Sequence, residues 1–144
     1  MSGEHTIFLD RSFGRHAVAS ALRQSGARVE IHDDHFPMDA TDEEWLAEVG
    51  RRGWLCLTKD IRIGLNTLQR LWVARQGVKL FVFRSGNLQG PEMGHAIAKA
   101  LPRIHSIADG NEAPFIAKIY SSGKIKLVRN REALLAEYSK LTGR

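Results

Sequence analysis

The chain has 144 residues, 43% hydrophobic and 26% charged, with 21 Lys and Arg against 16 Asp and Glu for a net charge of +5. These values fit one soluble globular domain, residues 1–144, with a single core, and the excess of cations favours a polyanionic partner. The lone Cys56 excludes an internal disulfide, no apolar run approaches a membrane span, and no signal-peptide pattern opens the chain, so a cytoplasmic protein without a membrane partner is expected.

Thr6–Leu9 reads as a short apolar strand ending at Asp10. Ser12 or Gly14 can open a helix near Arg15–Gln24, with Val18, Ala21 and Leu22 on one face and Gly26 as its stop. Arg28–His32 reads as a second strand, and Asp33–Ala40, with Pro37 and no period, as a loop. Thr41-Asp42-Glu43-Glu44 has the form of a capping box for a helix carrying Trp45, Leu46 and Val49 to Gly50–Gly53. Trp54–Thr58 is the third expected strand. Asn66–Gln76 shows Leu68, Leu71, Trp72 and Arg75 at helical spacing, closed by Gly77. Lys79–Arg84 is the fourth and most apolar strand.

A helix over Pro91–Leu101 follows, then a short one around Arg103–Ala108. Phe115–Tyr120 and Lys124–Val128 flank Ser121-Ser122-Gly123, a hairpin signal. Residues 129–144 hold a last amphipathic helix, with Leu134, Leu135, Tyr138 and Leu141 spaced to dock on a core of about 5–128. Strands alternating with helices predict an α/β fold around a mainly parallel sheet.

Three apolar runs stop on aspartate: before Asp10, before Asp33 and Asp34, and before Asp60. In neighbouring parallel strands these carboxylates would gather at the carboxyl edge of the sheet, where open α/β folds bind ligands. Crowded carboxylates repel unless they protonate or share a cation, so Mg²⁺ or Mn²⁺ is the expected cofactor. Asp42 precedes Trp45, Leu46 and Val49 by three, four and seven residues, which puts it on the sheet-facing side of its helix. Asp10, Asp42 and Asp60 are the candidate catalytic and metal-binding residues, with Glu43 in reserve. Asp34, Ser85 and Asn87 are possible supporting groups. Arg11, Lys59, Arg62 and Arg84, beside these strand ends, are candidates to hold a phosphate backbone. Each of these residues also has an ordinary reading as a cap, a turn residue or a surface ion pair. In His32-Asp33-Asp34-His35, strand alternation sends the side chains to opposite faces, which argues against a transition-metal site.

Phe8-Leu9-Asp10-Arg11-Ser12, His32–Pro37, Thr41–Leu46, Leu57-Thr58-Lys59-Asp60 and Phe83–Leu88 together resemble the PIN-like domains of VapC-type toxins, over about Thr6 to Val128. The resemblance implies a three-layer α/β/α fold and a ribonuclease that cuts RNA with Mg²⁺ or Mn²⁺. By motif position it points to Asp10, Asp42 and Asp60. It also implies a cognate antitoxin and frequently a homodimer. The larger family often has a fourth acid after the next strand, where this chain has Ser85 and Asn87, then Glu92. The alternative is a catalytically weak or inactive PIN-like module that binds RNA or protein. Receiver-type or dehalogenase-type phosphoryl chemistry fits poorly, since Arg11 and Ser12 stand where those sites want a second acid.

Overall fold

The period-two and period-3.6 signals sort into strands and helices in strict alternation until the final hairpin. The structure, a computed structural model, describes residues 5–62 and 66–143. Strands β1 (Thr6–Leu9), β2 (Arg28–Ile31), β3 (Leu55–Thr58), β4 (Lys79–Arg84), β5 (Phe115–Tyr120) and β6 (Ile125–Arg129) form one sheet in the order β2-β1-β3-β4-β5-β6. Every neighbouring pair is parallel except β5–β6, the expected hairpin.

The central strands are apolar on both sides because both faces are covered. Ile7, Leu9, Leu55, Leu57, Phe81, Phe83 and Phe115 meet helices α1 (Ala17–Gln24) and α4 (Gly90–Gly110) on one face. Phe8, Cys56, Leu80, Val82 and Ile116 meet α2 (Asp42–Arg52), α3 (Thr67–Gln76) and α5 (Arg131–Thr142) on the other. This is the three-layer α/β/α arrangement, and no helix among the described residues is long and apolar enough to cross a membrane.

Phe8 anchors the second face. Its ring stacks on Trp54 at 5.7 Å between centroids and meets Phe36 edge-on at 5.9 Å.

Four local readings change in the folded chain. The two helices expected over 91–108 are one, α4, which runs through Pro102. Proline removes one helical hydrogen bond at a cost of about 3 kcal/mol. The apolar stripe keeps its phase across it, so burial of Ile97, Leu101, Ile104 and Ala108 on the sheet outweighs the lost bond. The exit of β2 is not a plain loop: His32–Asp34 forms a 3-10 turn with His32 buried and Asp33 and Asp34 exposed. In α3 the buried residues are Val73 and Ala74, while Leu68 is 54% exposed. In α5 only Leu134 of the expected stripe is fully buried, and Leu141 is 53% exposed.

The capping box on α2 is as expected: Thr41 Oγ1 accepts from the Glu44 N–H at 3.2 Å, and the Glu44 carboxylate accepts from the Thr41 N–H at 3.3 Å. Further along α2, Gly50 lets the end of α3 approach, because a Cβ there would stand 2.0 Å from the Gln76 carbonyl oxygen. In an open helix Gly→Ala gains about 1 kcal/mol. Here the contact reverses the sign, and Gly50→Ala is expected to destabilise by about 1–3 kcal/mol. Urea unfolding checks this: an unchanged or higher midpoint would contradict the close packing of α2 on α3.

Candidate active site

The strand order places β1 and β3 side by side while their following helices, α1 and α3, leave toward opposite faces. That divergence makes a topological switch point, and the crevice opens outside the carboxyl ends of these two strands. A cleft of about 360 Å³ lies there, with Asp10, Asp42 and Asp60 all in its wall. The sequence picked these three carboxylates, and the fold brings them to one place.

Asp10 follows β1 directly, and its N–H still donates to the Leu57 carbonyl of β3 at 3.1 Å. Its side chain is 5% exposed and fully engaged. Oδ1 accepts from the Ser12 N–H at 3.0 Å and from the Ser12 hydroxyl, while Oδ2 accepts from the Thr58 hydroxyl at 2.5 Å. The first bond caps the 3-10 turn Arg11–Phe13, which displaces the start of α1 to Ala17. Burial pushes the Asp10 carboxyl up to about 6; the bonds from Ser12 and Thr58 oppose the rise, and the charge of Asp60 adds to it. The same two hydroxyls reach the next loop. Ser12 Oγ accepts from the Lys59 N–H and Thr58 Oγ1 from the Asp60 N–H, each at 3.0 Å.

Asp42, at the first turn of α2, is half-buried and held from two sides. Trp45 Nε1 donates to its Oδ1 at 3.0 Å, and Gln69 Nε2 of α3 donates to its Oδ2 at 2.7 Å. Asp60 is turned toward Arg62, whose Nε and terminal nitrogen donate to its two oxygens at 3.0 and 2.8 Å. That guanidinium holds the Asp60 carboxyl below its ordinary value. Among the described residues, no three His, Cys, Asp or Glu side chains are grouped so as to hold a metal ion as they stand. The donor chemistry nevertheless suits a hard cation: three carboxylates in one cleft, one of them driven toward neutrality by burial, as a cation there would relieve.

The other expected residues divide. Arg11 and Arg62 line the cleft, with Arg11 donating to the Met38 carbonyl. Lys59 stands beside it, tied through its backbone to Ser12. Glu43 and Asp34 are exposed and outside the cleft wall; Ser85, half-buried, and Asn87, exposed, belong to the turn after β4 and also lie outside it. Glu92 accepts from the Gln89 N–H at 2.9 Å and so caps α4. Arg84 lines a separate groove on the α5 side of the sheet.

Sequence reading did not single out Thr58 or Gln69, because each bonds an aspartate remote in the chain, and it read Ser12 as a helix opener rather than as a partner of Asp10 two residues before it. It set His32 aside with its polar run, yet that side chain lines the cleft against Trp45 with its Nδ1 buried and without a hydrogen-bond partner. Burial, then the charge of Arg11, holds the imidazole below its usual value, so it is neutral near pH 7. At the opposite end of the sheet His5 bonds Asp109 at 2.6 Å and stacks on His105 at 5.5 Å, a grouping that sequence spacing gave no sign of.

A family model described as "PIN like domain" matches residues 6–85, more than half of the chain. The chain belongs to the PIN-like domain family. It is also similar to a VapC-type protein of Mycobacterium tuberculosis named "Putative ribonuclease VapC45", 28% identical over 127 residues that cover 85% of this chain and 89% of the relative. No solved structure matches the chain. The matched PIN-like segment contains β1 to β4, and with them every residue of the cleft wall.

The Asp10 carboxyl titrates near 3.8 when unperturbed and near 6 in the fold. The native chain therefore binds that proton more tightly, and stability falls as pH rises through this window. In chelator-treated protein, Asp10→Asn removes the burden, and at pH 7 it is expected to exceed the parent in stability by about 2–3 kcal/mol. The difference should vanish below about pH 4, where the parent is neutral too. Urea unfolding at both pH values tests this; equal stabilities at pH 7 would mean that Asp10 ionises freely.

Proposed function

We propose that this chain is a metal-dependent endoribonuclease of the VapC type, hydrolysing RNA phosphodiester bonds with Mg²⁺ or Mn²⁺ held by Asp10, Asp42 and Asp60. The observation that carries the reading is the buried Asp10 carboxyl at the sheet's switch point, sharing one cleft with two further carboxylates. The similarity to a protein whose name includes "ribonuclease" supports the same chemistry. A divalent cation bound there supplies Lewis-acid stabilisation of the reacting phosphate and acidifies a water nucleophile.

The chain's own residues prepare the site. Ser12 and Thr58 fix Asp10 without consuming its charge, and Trp45 and Gln69 fix Asp42. Asp60 must exchange its arginine for the cation. Arg62 is 78% exposed, and such exposed pairs are worth only about 0–1 kcal/mol, so the exchange is cheap. Once released, Arg62 is placed at the cleft lip to meet a phosphate oxygen, with Arg11 and Lys59 nearby and Arg84 farther out. In this reading the RNA strand lies across the cleft. A cognate antitoxin covers it in the cytoplasm, and a homodimer is the expected resting assembly.

A second reading is a PIN-like module that binds RNA or protein without cutting. The pairing of Asp60 with Arg62, and the lack of a ready metal group among the described residues, favour it.

Calorimetric titration with Mn²⁺ or Mg²⁺, alongside RNA cleavage, separates the two. Under the nuclease reading, Asp10→Asn and Asp60→Asn lose both metal binding and cleavage and keep the parent circular-dichroism spectrum. Cleavage at the parent rate by Asp10→Asn would sink the assignment. Metal-independent RNA affinity with no cleavage in Mn²⁺ would establish the binding module. Thr58→Val keeps the three carboxylates and removes the hydroxyl that orients Asp10; its metal affinity is expected to fall by about 10–100-fold.

A further inference from the structure

Beside the catalytic cleft runs a narrow groove of about 60 Å³, of whose lining the proposed reaction uses only Arg84. The two depressions share a wall. Ile61, which lines the groove, stands between Asp60 and Arg62, which line the cleft. The groove floor is apolar, formed by Val82, Ile116 and Val128, and its sides are basic, carrying Arg84, Lys118 and Arg129. Ile61 and Val128 are 42% and 39% exposed. The fourth cation at the groove, Arg70, is committed to Glu137 at 2.8 Å.

The register shows a cost in this arrangement. Strand alternation puts Val82 and Arg84 on one face of β4, and Ile116 and Lys118 on the same face of β5. Lys118 pairs with Val82 on one side and stands directly opposite Lys126 of β6 on the other. Like charges directly opposed across an antiparallel pair are destabilising. Among the described residues, Arg84, Lys118 and Lys126 enter no ion pair that would relieve it. Lys126 alone could be an ordinary guard on an edge strand. Lys118 and Arg84 are on internal strands, where there is no edge to guard.

We infer that this groove seats the phosphate–ribose backbone of the RNA strand at a nucleotide flanking the one in the cleft. The inference rests on the reading that the chain takes RNA, and it adds where the strand goes: from the aspartates, over Ile61, onto β4 and β5. Arg84, Lys118 and Lys126 would take the phosphate charge, and the apolar floor would meet the ribose edge. An acidic protein segment is the competing occupant. The continuity with the catalytic cleft favours RNA, since one polyanionic strand can then satisfy both.

The test uses the full chain with Lys118→Gln and Lys126→Gln combined, in chelator so that no RNA is cut. Binding of a labelled single-stranded RNA is followed by fluorescence anisotropy from low to high salt. Loss of two phosphate contacts on a single strand should lower the slope of log affinity against log salt by about 1.4, with affinity at 0.1 M salt down roughly tenfold or more. Removing the opposed charges should leave the melting temperature equal or higher, and Lys118→Arg with Lys126→Arg should restore the parent affinity. An unchanged slope and affinity overturn the inference. So does a parent that binds no RNA, or a variant that keeps RNA affinity while losing affinity for a polyaspartate peptide, which would assign the groove to an acidic protein partner.

Addition of Mn²⁺ separates this inference from the catalytic reading. Cleavage by a variant with undiminished RNA affinity keeps the nuclease and removes the groove. Affinity lost in the variant, with no cleavage by the parent, keeps the groove and removes the nuclease.

Discussion

A carboxylate buried at the end of β1 is the constraint around which the site is arranged. Asp10 is too enclosed to be solvated, so the fold supplies it with two hydroxyls and a backbone N–H. Those hydroxyls are not free agents. Ser12 accepts from Lys59, and Thr58 accepts from Asp60, so one buried side chain fixes two loops and the end of β3. Even so, burial wins over hydrogen bonding, and the group remains harder to ionise than an ordinary aspartate. A protein chosen only for stability would place Asn or Thr there. Keeping an acid at this point makes sense if a cation shares the cleft for part of the protein's cycle.

The aspartates differ in how firmly they are held. Asp10 is buried among strand ends, and Asp42 is clasped by the indole of its own helix and the amide of the next. Asp60 has the loosest hold: an exposed guanidinium from two residues onward. A helix thus carries one carboxylate, and the stretches just beyond β1 and β3 carry the other two.

Charge is also divided in space. Acidic groups crowd the crevice between β1 and β3, while cations occupy the neighbouring surface of β4 to β6. Each half is costly alone, one through carboxylate repulsion and the other through lysines facing one another across a strand pair. A polyanion bridged to the acids by a divalent cation would relieve both together.

The sequence by itself determined the alternation of elements, the capping box at Thr41, the hairpin after β5 and the three aspartates now found in one cleft. These are local signals: periodicity, turn residues and carboxylates at strand ends act over a few residues and survive without knowledge of the fold. Tertiary structure decided the rest. Pro102 should have broken α4, and the sheet beneath overrode it because the apolar stripe continues on either side. His32 was one polar residue in a polar run until the 3-10 turn swung it inward against Trp45. Thr58 and Gln69 had no mark at all, since their partners are fixed by strand order and helix packing rather than by spacing, and Ser12 was read as a helix opener rather than as a clamp on Asp10 two residues before it. The basic groove reached across Ile61 likewise depends on which surfaces the fold sets side by side.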